Sequence, residues 1–236
     1  MTRSRLLISC EHGGNRIPAT YRHYFRGCEA VLQSHRGHDP GALALARDLA
    51  RTCRGRLVYS TTSRLLVDLN RSPGHPRLYS GITRSLPGQE KRELYARYYL
   101  PYRQQVELFV IAALRRCDRV IHVSSHSFTP VLDGERRRAD VGLLYDPSRE
   151  PELRLCRAWQ KALRESMPGL VVRRNYPYRG VSDGLTTHLR RRFQSARYLG
   201  VEIEVNQMHT LGEPRRWARL RRAIAQSLAA AFDSDA

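Results

Sequence analysis

The chain has almost no lysine. Lys91 and Lys161 are the only two in 236 residues, so the formal net charge of +19 is carried by arginine. Cysteine is also sparse. Cys10, Cys28, Cys53, Cys117 and Cys156 are odd in number and form no Cys-x-x-Cys pair. That excludes a disulfide scaffold and a cysteine-rich zinc knot. Cys10 lies two residues before His12 but inside an apolar run, where a thiol reads as core rather than as a nucleophile. No apolar stretch approaches the length needed to cross a bilayer. The start, "MTRSRLLISC", lacks the long apolar region and cleavage site of a signal peptide. It reads as a first strand, and a cytoplasmic location is expected. There is no internal repeat and no low-complexity linker.

What is present is a core-forming composition, 41% hydrophobic, in a length that suits a single domain over residues 1–236. The arginines are scattered, with short clusters in "GERRRAD", "HLRRRF" and "EPRRWARLRRA". Aromatics do not interleave with them, and no helix-turn-helix, finger or RNA-binding signature appears. Nucleic acid is therefore not the expected partner, whereas a small anionic substrate suits the charge.

Apolar runs alternate with helical patterns. Strands are expected at Arg5–Cys10, Arg56–Ser60 with Leu65–Leu69, Arg119–Ser124, Asp140–Tyr145, Leu170–Arg174 and Gly200–Val205. Helices are expected at Pro40–Cys53, Gly88–Arg116, Glu150–Ser166 and Pro214–Phe232. This alternation predicts an α/β three-layer sandwich around a mixed, largely parallel sheet. Ligands of such sheets gather outside the carboxyl ends of the strands, so the residues that follow each apolar run are the candidates.

Those residues are polar in four places. "EHGGN" (Glu11 to Asn15) follows the first run. "SRLLVDLNRS" holds Arg64, Asp68, Asn70 and Arg71. "SSHSFTP" is centred on His126. "GVEIEVNQ" carries Glu202 and Glu204. Two histidines from different strand ends can converge on one metal, and zinc favours imidazole nitrogens with an oxygen ligand. The carboxylate could come from Asp39 in "SHRGHDPGA" or from Glu11. A second carboxylate, off the metal, can act as general base. Glu202 and Glu204 share one face of their strand, so one can reach the site while the other lies nearby. Arg71 offers a rigid fork for a substrate carboxylate, and Asn70 an amide donor. Asp68 needs a partner to be buried in "LLVDLN" and could orient a histidine or bind Arg64. The glycines after His12 allow a tight turn, and Glu11 could hold a ligand's second nitrogen.

Taken in order, these motifs resemble the N-formylglutamate amidohydrolase family and, more remotely, the zinc carboxypeptidase and aspartoacylase fold group. The matching stretches are "EHGGNRIP", "GHDPGALALARDLA", "TSRLLVDLNRS", "IHVSSHSF" and "YLGVEIEVNQ". The resemblance implies a phosphorylase/hydrolase-like sandwich and zinc-dependent hydrolysis of an amide beside a carboxylate. The substrate it implies is a small anionic N-acyl amino acid, with N-formyl-L-glutamate first. It makes His12 and His126 metal ligands. The carboxypeptidases place a glutamate three residues after the first histidine, where this chain has Asn15. Asp39 is then the preferred third ligand, with Glu11 and Asn15 behind it. Glu204 matches the catalytic glutamate, with Glu202 as the alternative. Asn70 and Arg71 match the pair that binds a substrate carboxylate, and Arg64 could stabilise an oxyanion or anchor Asp68. The stretch "NYPYRGVSDGLTTHLRRRF" (Asn175 to Phe193) reads as a long loop walling the pocket, from which Asn175, Tyr178, Arg179 and Thr186 could touch substrate.

Overall fold

The computed structural model describes residues 3–234. Its elements run β1 (Ser4–Cys10), α1 (Glu29–Gln33), α2 (Ala42–Thr52), β2 (Arg56–Tyr59), α3 (Gly88–Leu94) and α4 (Leu100–Leu114). They continue with β3 (Arg119–Phe128), β4 (Val131–Leu132), β5 (Glu135–Arg136), β6 (Val141–Leu144) and α5 (Glu150–Ser166). The last are β7 (Val172–Arg174), α6 (Leu185–Arg192), β8 (Tyr198–Asn206), α7 (Gln207–Thr210) and α8 (Pro214–Ser234).

Six strands form one sheet in the order β2-β1-β3-β8-β6-β7, and β4 and β5 make a separate hairpin. The first four strands are mutually parallel. β6 runs antiparallel to β8, and β7 parallel to β6. The sheet is therefore mixed and largely parallel, as its sequence predicts. Both faces are covered, which is why β1 reads as a continuous apolar run rather than an alternating one. Leu6, Ile8 and Cys10 pack with Leu45 and Leu49 of α2, Trp159 of α5 and Ile224 and Leu228 of α8. Leu7, on the opposite face, joins Val106 and Val110 of α4 and Leu185 and Leu189 of α6. Three layers result.

The helix read over Gly88–Arg116 is present but not uniform. α3 passes into α4 through a π-helical segment, Tyr95–Tyr99, in which the Leu100 N–H bonds to the Tyr95 carbonyl. Pro101 comes next. It has no N–H to give to the regular ladder, and a π segment is one way to absorb that break.

Three expectations are corrected. Leu65–Leu69 is not a strand. It is a buried, turning segment in which Leu65, Leu66, Val67 and Leu69 all enter the same core. Its backbone groups bond to the Ser63 and Thr83 hydroxyls, the Leu78 carbonyl and the Arg103 guanidinium instead of to a neighbouring strand. The third strand does not stop at Ser124 but continues to Phe128, because β8 pairs with it over that whole length. The stretch from Asn175 to Phe193 is not all loop, since Leu185–Arg192 is a helix whose leucines seal the second core.

Candidate active site

β1 ends and the chain turns at once through Glu11, His12, Gly13 and Gly14. The glycines are needed for space rather than for positive φ. A Cβ on Gly13 would lie 2.8 Å from the Ser60 carbonyl, and one on Gly14 would lie 2.7 Å from that of Thr61. This close passage is tied by Arg16 N–H to the Thr61 carbonyl at 2.9 Å. It holds His12 over the end of the sheet. Asp39 is brought there through the backbone, its N–H bonding to the His12 carbonyl at 2.9 Å. The start of α2 is in turn fixed on β3. Ser125 donates to the Ala42 carbonyl and Ser127 to the Pro40 carbonyl, both at 2.9 Å. Those serines occupy one side of β3, and His126 between them takes the other.

The result is a buried cluster in which His12, Asp39 and His126 each offer one atom within 4.8 Å of the others. Asp39 Oδ2 lies 2.8 Å from His126 Nδ1 and 3.4 Å from His12 Nδ1. Each imidazole turns its other nitrogen away, to a second carboxylate. His12 Nε2 is 2.7 Å from Asp68 Oδ1, and His126 Nε2 is 3.1 Å from Glu11 Oε2. Two imidazoles and a carboxylate pointing inward, with carboxylates behind the rings, is a donor set suited to a metal ion. Asn15 has no part in it, and Glu11 stands behind His126 rather than beside Asp39.

Charge balance inside the cluster follows. Burial would push the Asp39 carboxyl up, but His12, His126 and Arg64 outweigh it and hold it well below the usual range. Burial opposes ionisation of Glu11 too, yet the hydrogen bonds and charge of His126, with Ser124 and Ser9, hold it low. Tyr102 adds a hydrogen bond to Glu11 at 2.9 Å. For His126 burial favours the neutral ring, but hydrogen bonds and charge from Asp39 and Glu11 prevail and raise it. Asp68 is buried and is used on both oxygens, by His12 and by Arg64 Nη2 at 2.7 Å. Arg64 also reaches Asp39 Oδ1 at 3.4 Å.

Glu204 stands directly across from His126 in the β3–β8 register. It is 6% exposed, and its Oε2 is buried with no hydrogen-bond partner among the described residues. Burial pushes its carboxyl up to about 8; His126 opposes that, while Asp39 and Glu202 add to it. Asn70 lies on the other flank, its Nδ2 3.5 Å from His126 Nε2 and its Oδ1 accepting from Leu185 N–H at 2.7 Å. Arg71 gives Nη1 to the Asp183 carbonyl at 2.9 Å, and its Nε is buried without a hydrogen bond.

The cluster thus unites His12, Asp39, His126, Arg64, Asn70 and Glu204, with Arg71 next in the chain. Among the described residues, no hydrogen bond or ion pair draws Asn175 or Arg179 into it. The Asn175 amide oxygen accepts from Tyr145 N–H and Gly180 N–H, which shapes its own turn, and Arg179 is exposed on that turn. Thr186 is buried and donates to Glu202. Ser124, which donates to Glu11, and Tyr102 were missed by sequence reasoning. Ser124 sits two before His126 on the same strand face, a spacing that could have suggested it, but nothing local marks Tyr102.

The sequence matches the family model of N-formylglutamate amidohydrolase over residues 4–210. The chain belongs to that family. As an N-formylglutamate amidohydrolase family member it is a hydrolase acting on an amide. A crystal structure of a gene product from Agrobacterium tumefaciens is similar, with a TM-score of 0.82 and 31% identity, covering 99% of this chain and 92% of that one. The crystal structure of N-formylglutamate amidohydrolase from Ralstonia eutropha JMP134 shares the fold, with a TM-score of 0.70 and 21% identity over 97% of this chain and 93% of that one. No curated protein matches by sequence. Among the described residues no helix is long and apolar enough to cross a membrane.

Proposed function

We propose that this family member is a zinc-dependent amidohydrolase of N-acyl amino acids, with N-formyl-L-glutamate the first compound to assay. Water and the N-formyl amide would give formate and the free amino acid. The observation that carries this reading is the buried Glu204 carboxyl, with one oxygen unpartnered, set opposite His126 in the register.

His12, Asp39 and His126 would hold the metal, and the nitrogen-rich set with one carboxylate fits zinc. Bound there, zinc would lower the pKa of a water and polarise the substrate carbonyl. Glu204 takes the proton released by the attacking water and delivers it to the leaving nitrogen. Its burial favours the protonated form, so it can hold that proton between the two events. Arg64 is fixed by Asp39 and Asp68 and would steady the charge that develops on the carbonyl oxygen. Asn70 and Arg71 would bind the α-carboxylate. The Asn70 oxygen is committed to Leu185 N–H, which leaves its NH2 turned towards His126 Nε2. Asn175 keeps an indirect place, shaping the turn that carries Tyr178 and the exposed Arg179.

Elemental analysis of the purified protein should find about one zinc per chain, lost in His126→Ala. A wild type that binds no zinc even after incubation with it would refute the proposal. Glu204→Gln should keep zinc and lower kcat by at least about 100-fold, the usual worth of a general base. A near-normal kcat removes Glu204 from that role. Arg71→Ala should act mainly on kcat/KM.

A further inference from the structure

Arg5, Arg54, Arg56, Arg115 and Arg116 line one cleft of about 590 Å³, and no carboxylate lines it with them. All five are exposed, and among the described residues none gives its guanidinium to an ion pair or a hydrogen bond. Exposed arginines elsewhere find carboxylates: Arg51 pairs with Asp48, Arg154 with Glu150 and Arg192 with Glu107. Like charges gathered in one concave place repel each other, and the field they focus there draws anions.

The sheet and two helix ends bring this group together. Arg5 lies two residues before Leu7 on β1, and Arg56 of β2 stands opposite Leu7 in the register. Both therefore project to the face that carries α4. Arg115 and Arg116 follow the last turn of α4. That helix end is closed by another side chain, because the Leu114 and Cys117 carbonyls accept from Arg197 at 2.6 Å and 3.3 Å. The half-buried Phe109 of α4 gives the cleft an apolar wall.

Arg54 carries the strongest signal. α2 closes with the Gly55 N–H on the Ala50 carbonyl at 2.9 Å, and Arg54, just before that glycine, sits at φ 51°. This left-handed position after a helix usually holds glycine, because a Cβ is strained there. The chain puts glycine one place later, where a Cβ would crowd Leu6 Cδ2 at 3.1 Å, and keeps an arginine in the strained position. A guanidinium is thus held at the cleft against the backbone's preference, and strain of this kind clusters at binding positions.

We propose that this cleft binds a small ligand carrying a chain of phosphates, free or on a nucleoside. A planar guanidinium grips phosphate oxygens in pairs, and five of them exceed what one phosphate can use. The cleft lies at the opposite end of β1 from His12, so the site is separate from the hydrolytic one and does not rest on the proposed activity.

Calorimetric titration of the zinc-loaded protein with inorganic tripolyphosphate should show a single saturable site. Orthophosphate should bind at least about tenfold more weakly; equal affinity would leave an adventitious ion only and overturn the proposal. Arg54→Gly suits the positive φ, so the fold is kept while a guanidinium is lost. With Arg56→Ser added, affinity should fall at least about tenfold, the loss expected for charge-assisted hydrogen bonds. Arg219→Ser with Arg222→Ser removes the same charge from exposed positions on α8 and should leave binding unchanged. An equal loss in both pairs would mean general attraction to a chain of net charge +19. A signal that neither pair alters would come from phosphate drawing on the zinc. Either result overturns the proposal, as does a DNA duplex that displaces tripolyphosphate from the cleft. Adenosine triphosphate separates the two small sources: tighter binding than tripolyphosphate supports a nucleotide with its base against Phe109, and equal or weaker binding supports the free chain.

Discussion

Asp68 stands in the apolar run "LLVDLN", where a buried carboxylate without partners would cost several kcal/mol. Its two oxygens go to His12 Nε2 and Arg64 Nη2, so one residue orients a ring and anchors a guanidinium. Glu11 does the equivalent behind His126. Such partners fix which ring nitrogen faces the metal and raise its basicity. Asp68→Asn should therefore weaken zinc binding by about 10- to 100-fold, the usual loss for such a partner. Competition with a chelator measures this, and unchanged affinity would show that Asp68 serves only Arg64. His12 and Asp68 are 56 residues apart. The sequence offered two partners for Asp68, and the structure uses both.

At the scale of elements, β8 is longer than its neighbour β6, which pairs only with its Glu202–Val205 half. The exposed edge at Gly200 is closed by side chains instead. Glu152 of α5 accepts from Gly200 N–H at 2.9 Å, and Arg190 of α6 donates to the Gly200 carbonyl at 2.6 Å. The two side chains also pair with each other at 3.0 Å. Together they act as a short substitute strand and tie helices from both layers to the sheet. Removing one partner leaves a buried charge and a bare peptide group, so Glu152→Ala should cost about 3–5 kcal/mol. Urea denaturation measures this, and a loss under about 1 kcal/mol would put the pair in the class of exposed ion pairs. The helix carrying Arg190 was hidden in the sequence because its start, "SDGLTTH", is rich in turn formers. Packing of Leu185 and Leu189 overrides that local preference.

For the molecule as a whole, the central strands are clamped by a neutral histidine. His122 of β3 lies between Ser9 Oγ of β1 at 2.8 Å and Tyr198 OH of β8 at 2.7 Å. Burial pushes its pKa down to about 4; Glu11 opposes this, while Arg190 and Arg103 assist. The unfolded chain takes up this proton near pH 6.5. The stabilisation is complete above that value and is lost as the pH falls towards 4; the loss is about 2 kcal/mol at pH 5. His126 is shifted the other way in the metal-free protein, so His122 is isolated by comparison with His122→Asn. The variant should show a flatter change in stability between pH 7.5 and 5, and an identical pH profile would refute the account. A group of arginines also lies away from the site. Arg5, Arg54, Arg56, Arg115 and Arg116 line a cleft near the starts of β1 and β2, at the opposite end of those strands from His12.

The sequence by itself determined the layered α/β architecture, the parallel core and the polar residues at the ends of its strands. Those features are local: an apolar run long enough to be buried, a helical period, and a histidine or carboxylate where the run ends. Only the tertiary structure decided that Asp39 rather than Asn15 meets both imidazoles, because a backbone hydrogen bond across 27 residues puts it there. The β3–β8 register likewise puts Glu204, not Glu202, opposite His126, and a shift of two residues would exchange them. Leu65–Leu69 turns rather than extends because side chains elsewhere in the fold supply its hydrogen bonds. A short stretch of four apolar residues around Asp68 cannot reveal those partners, which exist only after the chain has closed around it.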